Sequence, residues 1–295
     1  MKKAEIDSQV YELYDEYCHS NMGRREFLKR AGALSVLGGI SGLAMAEALL
    51  PDYAAAQTIS FNDDRIKATY VEYDSPGGNS SKMRGYMVQP KGEGPFPAVL
   101  VVHENRGLNP YVKDVARRLA TDGFLALAPD ALSPVGGYPG NDDDGRAMQR
   151  KLDRDKIKID MKNGAIFLKD HALSNGNLGV TGFCFGGGVS NYLAVEMGSD
   201  LKVAVPFYGS APAFEDVNKI KAVLLIQYAE DDRRVNAKRE GYKKALEENG
   251  VTFEMHTYEG TKHGFHNNST PRYNEKAAKL AWERTIAVFK KHLVS

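Results

Sequence analysis

The chain has 295 residues, 42% of them hydrophobic and 26% charged, with a formal net charge of +1. That composition is globular and supplies enough apolar residues for a sizeable core. The near-neutral charge argues against a nucleic-acid partner, and neither a fixed-period repeat nor a low-complexity tract is visible.

Residues 24–29 read Arg24-Arg25-Glu26-Phe27-Leu28-Lys29. A small-residue apolar stretch follows from Ala31 to Leu50, broken by Gly38-Gly39 and Gly42 and carrying one charge, Glu47. Ala54-Ala55-Ala56 then precedes Gln57. A basic pair, a weakly apolar core and an Ala-x-Ala site form the layout of a cleaved export signal. The R-R-x-F-L-K pattern resembles a twin-arginine signal. That resemblance implies transient engagement of the twin-arginine export machinery, which carries folded proteins, and a periplasmic or secreted location. Residues 1–56 are therefore read as an N-terminal export signal, and 57–295 as a single domain of about 240 residues. A retained membrane anchor, or an amphipathic helix packed on the domain, is the alternative. The residues before Arg24 are expected to be unstructured. Of the two cysteines, Cys18 lies in the removable segment, which leaves Cys184 as the single thiol of the mature chain. Export in the folded state suits such a thiol, because it never meets oxidising machinery while unfolded.

Residues 65–73 and 82–89 are predicted strands, with Gly77-Gly78-Asn79-Ser80 as a turn. Ala98 to Val102 is a wholly apolar run, as in a buried central strand. A helix is predicted over 111–122, a second buried strand over 124–128, a loop over 133–145, and a long helix over 146–171. Strands at 178–181, 203–207, 223–228 and 252–258 alternate with helices at 185–198 and 236–249. A last helix begins near 273, with Ala278, Trp282, Thr285 and Phe289 on one face. Short buried strands alternating with helices give an α/β fold with a mostly parallel sheet covered on both faces. Sites in such sheets form at the carboxyl ends of the strands.

Four strand ends carry chemistry. After strand 178–181 stands Gly182-Phe183-Cys184-Phe185-Gly186-Gly187-Gly188, a G-x-nucleophile-x-G elbow with Cys as the nucleophile. The glycines make room for a sharp strand-to-helix turn, and the helix N-terminus favours a thiolate. After strand 223–228 come Asp231 and Asp232. Asp232 is the favoured orienter of a histidine because Val235 follows it in a D-x-x-V turn, and Asp231 is the fallback. After strand 252–258, His263 is the favoured base and His266 its rival. Nucleophile, acid and histidine then stand in hydrolase order. His103-Glu104-Asn105-Arg106-Gly107 follows strand 98–102, and the backbone N–H of Asn105 is expected to pair with that of Phe185 as oxyanion donors. His103, His263 and His266 lack companions at metal-ligand spacing, so no metal or other cofactor is expected.

Those residues resemble the dienelactone hydrolase family, the carboxymethylenebutenolidases, over roughly 65–292. Val101 to Asn109, Ala128-Pro129-Asp130, Gly182 to Gly187, Asp232-Arg233-Arg234-Val235 and His263-Gly264-Phe265 carry the resemblance. It implies an α/β-hydrolase fold, a Cys184-His263-Asp232 triad, acyl-enzyme hydrolysis of an ester or lactone, and contact of Glu104 with the resting thiol. Family members that take dienelactone anchor its carboxylate with arginines, one of them four residues after the histidine. Asn267 stands there in this chain, and Arg106, Arg146, Arg233 and Arg272 are the candidate substitutes. The rival readings are a general carboxylesterase, a thiol-dependent transferase or peptide hydrolase on the same scaffold, and a thiol-based binding or redox-sensing protein.

Overall fold

The alternating apolar runs build one eight-stranded sheet. The structure, a computed structural model, describes residues 7–19, 22–34 and 42–294. The strands are β1 (Ile66–Asp74), β2 (Lys82–Pro90), β3 (Phe96–Val102), β4 (Leu125–Asp130), β5 (Ser174–Phe183), β6 (Val203–Phe207), β7 (Val223–Asp231) and β8 (Phe253–Lys262). Their order is β1-β2-β4-β3-β5-β6-β7-β8. The β1–β2 and β2–β4 pairs are antiparallel, and every other pair is parallel. Strand pleating splits β3 between two cores. Ala98, Leu100 and Val102 join one hydrophobic cluster, and Val99 and Val101 join the other.

Four short helices precede the sheet: α1 (Ser8–His19), α2 (Arg24–Gly32), α3 (Gly42–Ala48) and α4 (Tyr53–Ala56). Within the sheet run α5 (Pro110–Thr121), α6 (Asp142–Gln149), α7 (Arg154–Lys169), α8 (Phe185–Glu196), α9 (Arg233–Asn236), α10 (Arg239–Glu248) and α11 (Glu275–Leu293). Helices α7, α8 and α10 supply the first core, and α5 and α11 supply the second. Both faces of the sheet are thus covered, as the strand pattern required.

One expected helix is divided. The segment 146–171 breaks at 150–153, where the Asp153 carboxylate accepts hydrogen bonds from Asp155 N and Lys156 N and restarts the chain as α7. A side chain that caps backbone donors begins a helix more strongly than continuing periodicity carries one through. The expected helix 236–249 is α10, preceded by the single turn α9. The expected loop 133–145 contains a 3-10 turn (Ser133–Val135) and the start of α6.

Among the described residues before Arg24, Ser8–His19 form a helix where an unstructured segment was expected. Val10, Tyr14 and Tyr17 lie on one face of α1 at helical spacing and bury against Phe27, Ala31, Met45 and Leu49. This bundle lies on the body of the sheet domain. Arg146 donates to the carbonyls of Met22, at 3.2 Å, and Tyr17, and its guanidinium covers the Tyr17 ring. The Arg272 guanidinium lies 4.8 Å over the Tyr14 ring. Tyr53 donates to Asp142 at 2.8 Å and accepts from Asn109 Nδ2. Part of the apolar stretch read within the signal, residues 35–41, lies outside the described residues, as does the side chain of Cys18. No helix among the described residues is long and apolar enough to cross a membrane.

Candidate active site

The chain turns from β5 into α8 at Cys184, whose backbone takes φ 56° and ψ −111°. The flanking glycines permit that turn. A Cβ on Gly182 would stand 2.2 Å from the Gly186 carbonyl oxygen, and one on Gly186 would stand 2.2 Å from that of Val102. Contacts that short with backbone cannot be relieved by rotating a side chain, so the elbow requires glycine at both positions. The thiol is half-buried at the head of α8.

Asp232 follows β7 and caps α9, with Oδ1 accepting from Val235 N at 3.2 Å. That bond is the physical content of the D-x-x-V pattern. Oδ2 lies 2.5 Å from Nδ1 of His263, which follows β8. Asp231, its neighbour, pairs with Lys262 at 2.5 Å and is largely exposed. His266 is buried elsewhere, with Nδ1 2.7 Å from the Tyr111 hydroxyl and its ring stacked on Phe183. Asp232 and His263 are therefore the acid and imidazole that meet.

The other face of His263 addresses the thiol. Burial alone lowers the imidazole pKa, but the charge of Cys184, the hydrogen bond to Asp232, a hydrogen bond with Cys184 and the charge of Asp232 together raise it to about 9. Burial opposes the charge of Asp232, but the hydrogen bond from His263, the charge of His263, the bond from Val235 N and the charge of Arg234 together hold the carboxyl below its ordinary range. These interactions favour a protonated imidazole beside an ionised Asp232.

Glu104 is buried beneath the same site. Burial raises its pKa, Arg106 and Arg272 oppose that rise, and the charge of Cys184 reinforces it. Its Oε2 accepts from Asn267 Nδ2 at 3.2 Å. Asn267, four residues after His263, thus contacts the glutamate itself. Of the other candidate arginines, Arg106 pairs with Asp142 at 2.7 Å and Arg146 holds the N-terminal bundle. Arg233 and Arg272 line a second cavity of about 470 Å³ with Asp232 and His263. Asn105 and Phe185, the expected oxyanion donors, line a cavity of about 840 Å³ together with Cys184.

Two features escaped the sequence reading. His103 is fully buried, its Nδ1 2.5 Å from the Glu104 carbonyl and its Nε2 accepting from Ala131 N at 3.1 Å. Burial keeps it neutral, and these two bonds fix its tautomer with the proton on Nδ1. It thereby ties the Glu104 loop to the end of β4. Tyr208, just past β6, lines the thiol cavity, and its ring packs 4.9 Å from that of His263. The end of that strand carried no motif, but Phe207-Tyr208-Gly209-Ser210 at a parallel strand end was a positional signal.

The dienelactone hydrolase family model matches residues 83–293. A second model, YqhI-like, matches residues 1–35. The hydrolase fragment YghX of Escherichia coli (strain K12) is 56% identical over 115 residues, covering 39% of this chain and 97% of that protein. Protein usf of Aquifex pyrophilus is 36% identical over 233 residues, covering 76% of this chain and 98% of that protein. Among solved structures, one from Klebsiella pneumoniae described as a dienelactone hydrolase superposes with a TM-score of 0.67 at 26% identity. It covers 77% of this chain and all of that one. The fold is the α/β-hydrolase fold.

Proposed function

Because the chain belongs to the dienelactone hydrolase family, we propose that it hydrolyses a small-molecule ester or lactone through an acyl-enzyme on Cys184. The observation that carries this reading is the placement of His263 between the thiol and Asp232. The Cys184 sulfur attacks the carbonyl carbon. The backbone N–H groups of Phe185 and Asn105 receive the charge that develops on the carbonyl oxygen. His263 gives its proton to the departing alcohol and then takes one from the water that releases the acid, while Asp232 holds the imidazole's orientation. Burial and the charge of Cys184 favour the protonated form of Glu104, which leaves the negative charge on the thiolate beside it. The cavity of about 840 Å³ suits a compact substrate.

The test is a rapid-mixing experiment with a p-nitrophenyl ester. A burst of about one nitrophenolate per active site, with the acyl group recovered on the Cys184 peptide, is the expected result. A burst without acyl group on that peptide would refute the thiol's role.

We also propose, on the Arg24-Arg25 pattern, that residues 1–56 direct export by the twin-arginine route to the periplasm or beyond. The contacts of α1 and Met22 with Arg146 and Arg272 would have to open for the signal to be read. Replacing Arg24-Arg25 with Lys-Lys should keep the protein in the cytoplasmic fraction, and unchanged fractionation would refute the route.

A further inference from the structure

Three consecutive glycines, Gly186 to Gly188, fall in the first turn of α8. Close backbone approach dictates the first two: a Cβ on Gly186 would run into the Val102 carbonyl oxygen, and one on Gly187 would stand 2.4 Å from that of Phe207. Gly188 is different. A Cβ there would meet nothing closer than Ser210 N at 3.6 Å, an ordinary van der Waals contact, and its φ is not left-handed. Glycine is among the poorest helix formers, because it gives up the most backbone freedom and packs no side chain. Neither crowding nor backbone strain explains a glycine at 188.

What the missing side chain leaves is space beside the thiol. Gly188 stands one helical turn beyond Cys184, its N–H donating to the Cys184 carbonyl at 3.2 Å, and it lines the same cavity of about 840 Å³. Val189, Tyr192 and Val195 continue that wall along α8, and the loop after β6 contributes Ala211, Pro212 and Ala213. From Cys184 to Tyr192 the helix advances about 12 Å. The charged side chains bordering the cavity are exposed or half-buried, and its carboxylates are paired with lysines: Asp155 with Lys158 at 2.8 Å, Glu196 with Lys162 at 3.3 Å and Asp216 with Lys219 at 2.6 Å. His263 lines the other cavity, with Asp232, Arg233 and Arg272. The alcohol that takes the His263 proton departs on that side, and the acyl group stays with the sulfur on this one.

We propose that Gly188 and the α8 wall beyond it form an acyl subsite, and that the substrates are esters of unbranched aliphatic acids. The proposal rests on the thiol-based ester hydrolysis given above and names its substrate class. In acylation the S–C bond forms, the ester C–O bond breaks and the His263 proton leaves with the alcohol, so the acyl chain alone remains on Cys184. Its first carbons pass over Gly188, where any other residue would place a side chain. Later carbons meet Val189, Tyr192 and Val195. Each methylene moved from water onto that wall favours acylation by up to about fourfold.

Chain length and Gly188 variants test the subsite together, with the full chain and p-nitrophenyl acetate, butanoate and hexanoate. In the wild type kcat/KM should rise by roughly tenfold or more from acetate to hexanoate. Gly188→Val should cancel that rise, lowering the hexanoate-to-acetate ratio by roughly tenfold, and Gly188→Ala should lower it less. The ratio does not depend on how much of a variant folds. Gly188→Ala should also melt no lower than the wild type, because its Cβ finds room. A wild type that cleaves the esters without favouring the longer chains, or a ratio that Gly188→Val leaves unchanged, would overturn the subsite alone. A lower melting temperature for Gly188→Ala would show that the fold itself requires the glycine and would overturn it too. If the wild type cleaves none of the esters, the hydrolase reading itself fails, and this proposal fails with it.

Discussion

Nδ1 of His263 lies 2.5 Å from Oδ2 of Asp232, although a second carboxylate, Asp231, is the next residue in the chain. Asp231 is the last residue of β7, and side chains alternate in direction along a strand, so neighbours cannot face the same partner. Asp231 goes to Lys262 at the surface. Asp232 turns inward, where a single carboxylate both caps α9 and meets the imidazole.

This division of labour gives a paired prediction. Asp232→Asn should lower kcat on a p-nitrophenyl ester by roughly 10⁴-fold, as loss of the orienting acid does in comparable triads. Asp231→Asn should change it less than about twofold, since an exposed pair with lysine contributes little. Steady-state assays of both variants decide it, and similar losses in the two would refute the assignment.

The pH response follows from the imidazole. Its pKa is raised to about 9, so the proton is held below that pH and lost above it. Turnover of an ethyl ester, which requires that proton, should therefore fall as pH rises through about 9. Removing the thiolate in Cys184→Ala removes an interaction that raises the value, so the His263 titration should move to lower pH. An imidazole titration followed by NMR in both proteins reads the shift. An unchanged midpoint would contradict the coupling.

His103 carries a structural prediction with a catalytic consequence. His103→Leu leaves the Glu104 carbonyl and the Ala131 N–H without the partner each has now. Each unpaired buried group costs about 1–3 kcal/mol. Urea unfolding should show that loss, and kcat should fall because the Glu104–Asn105 loop is no longer tied to the end of β4. Full stability in the variant would show that the histidine is only filling space.

Much of the fold was legible because its signals are local. The apolar run Ala98 to Val102 can only be a strand buried on both faces, and the glycines around Cys184 mark a turn that no other residue fits. The order of thiol, acid and histidine is likewise written along the chain. What was not legible depended on contacts distant in sequence. The break at 150–153 needed the Asp153 cap to be seen, and the placement of α1 needed Arg146 and Arg272 as partners. The packing of Tyr208 on His263 and the tether made by His103 arise where β6 meets β7 and β3 meets β4. Neither junction leaves a motif.

The central claim is that the Cys184 sulfur forms the bond to the substrate, and Cys184→Ala tests it most directly. The measurement is steady-state hydrolysis of a p-nitrophenyl ester by the full chain and by this variant, with thermal melts to confirm that both are folded. The account predicts that a folded variant loses essentially all turnover. A folded Cys184→Ala protein that retains wild-type turnover would contradict it.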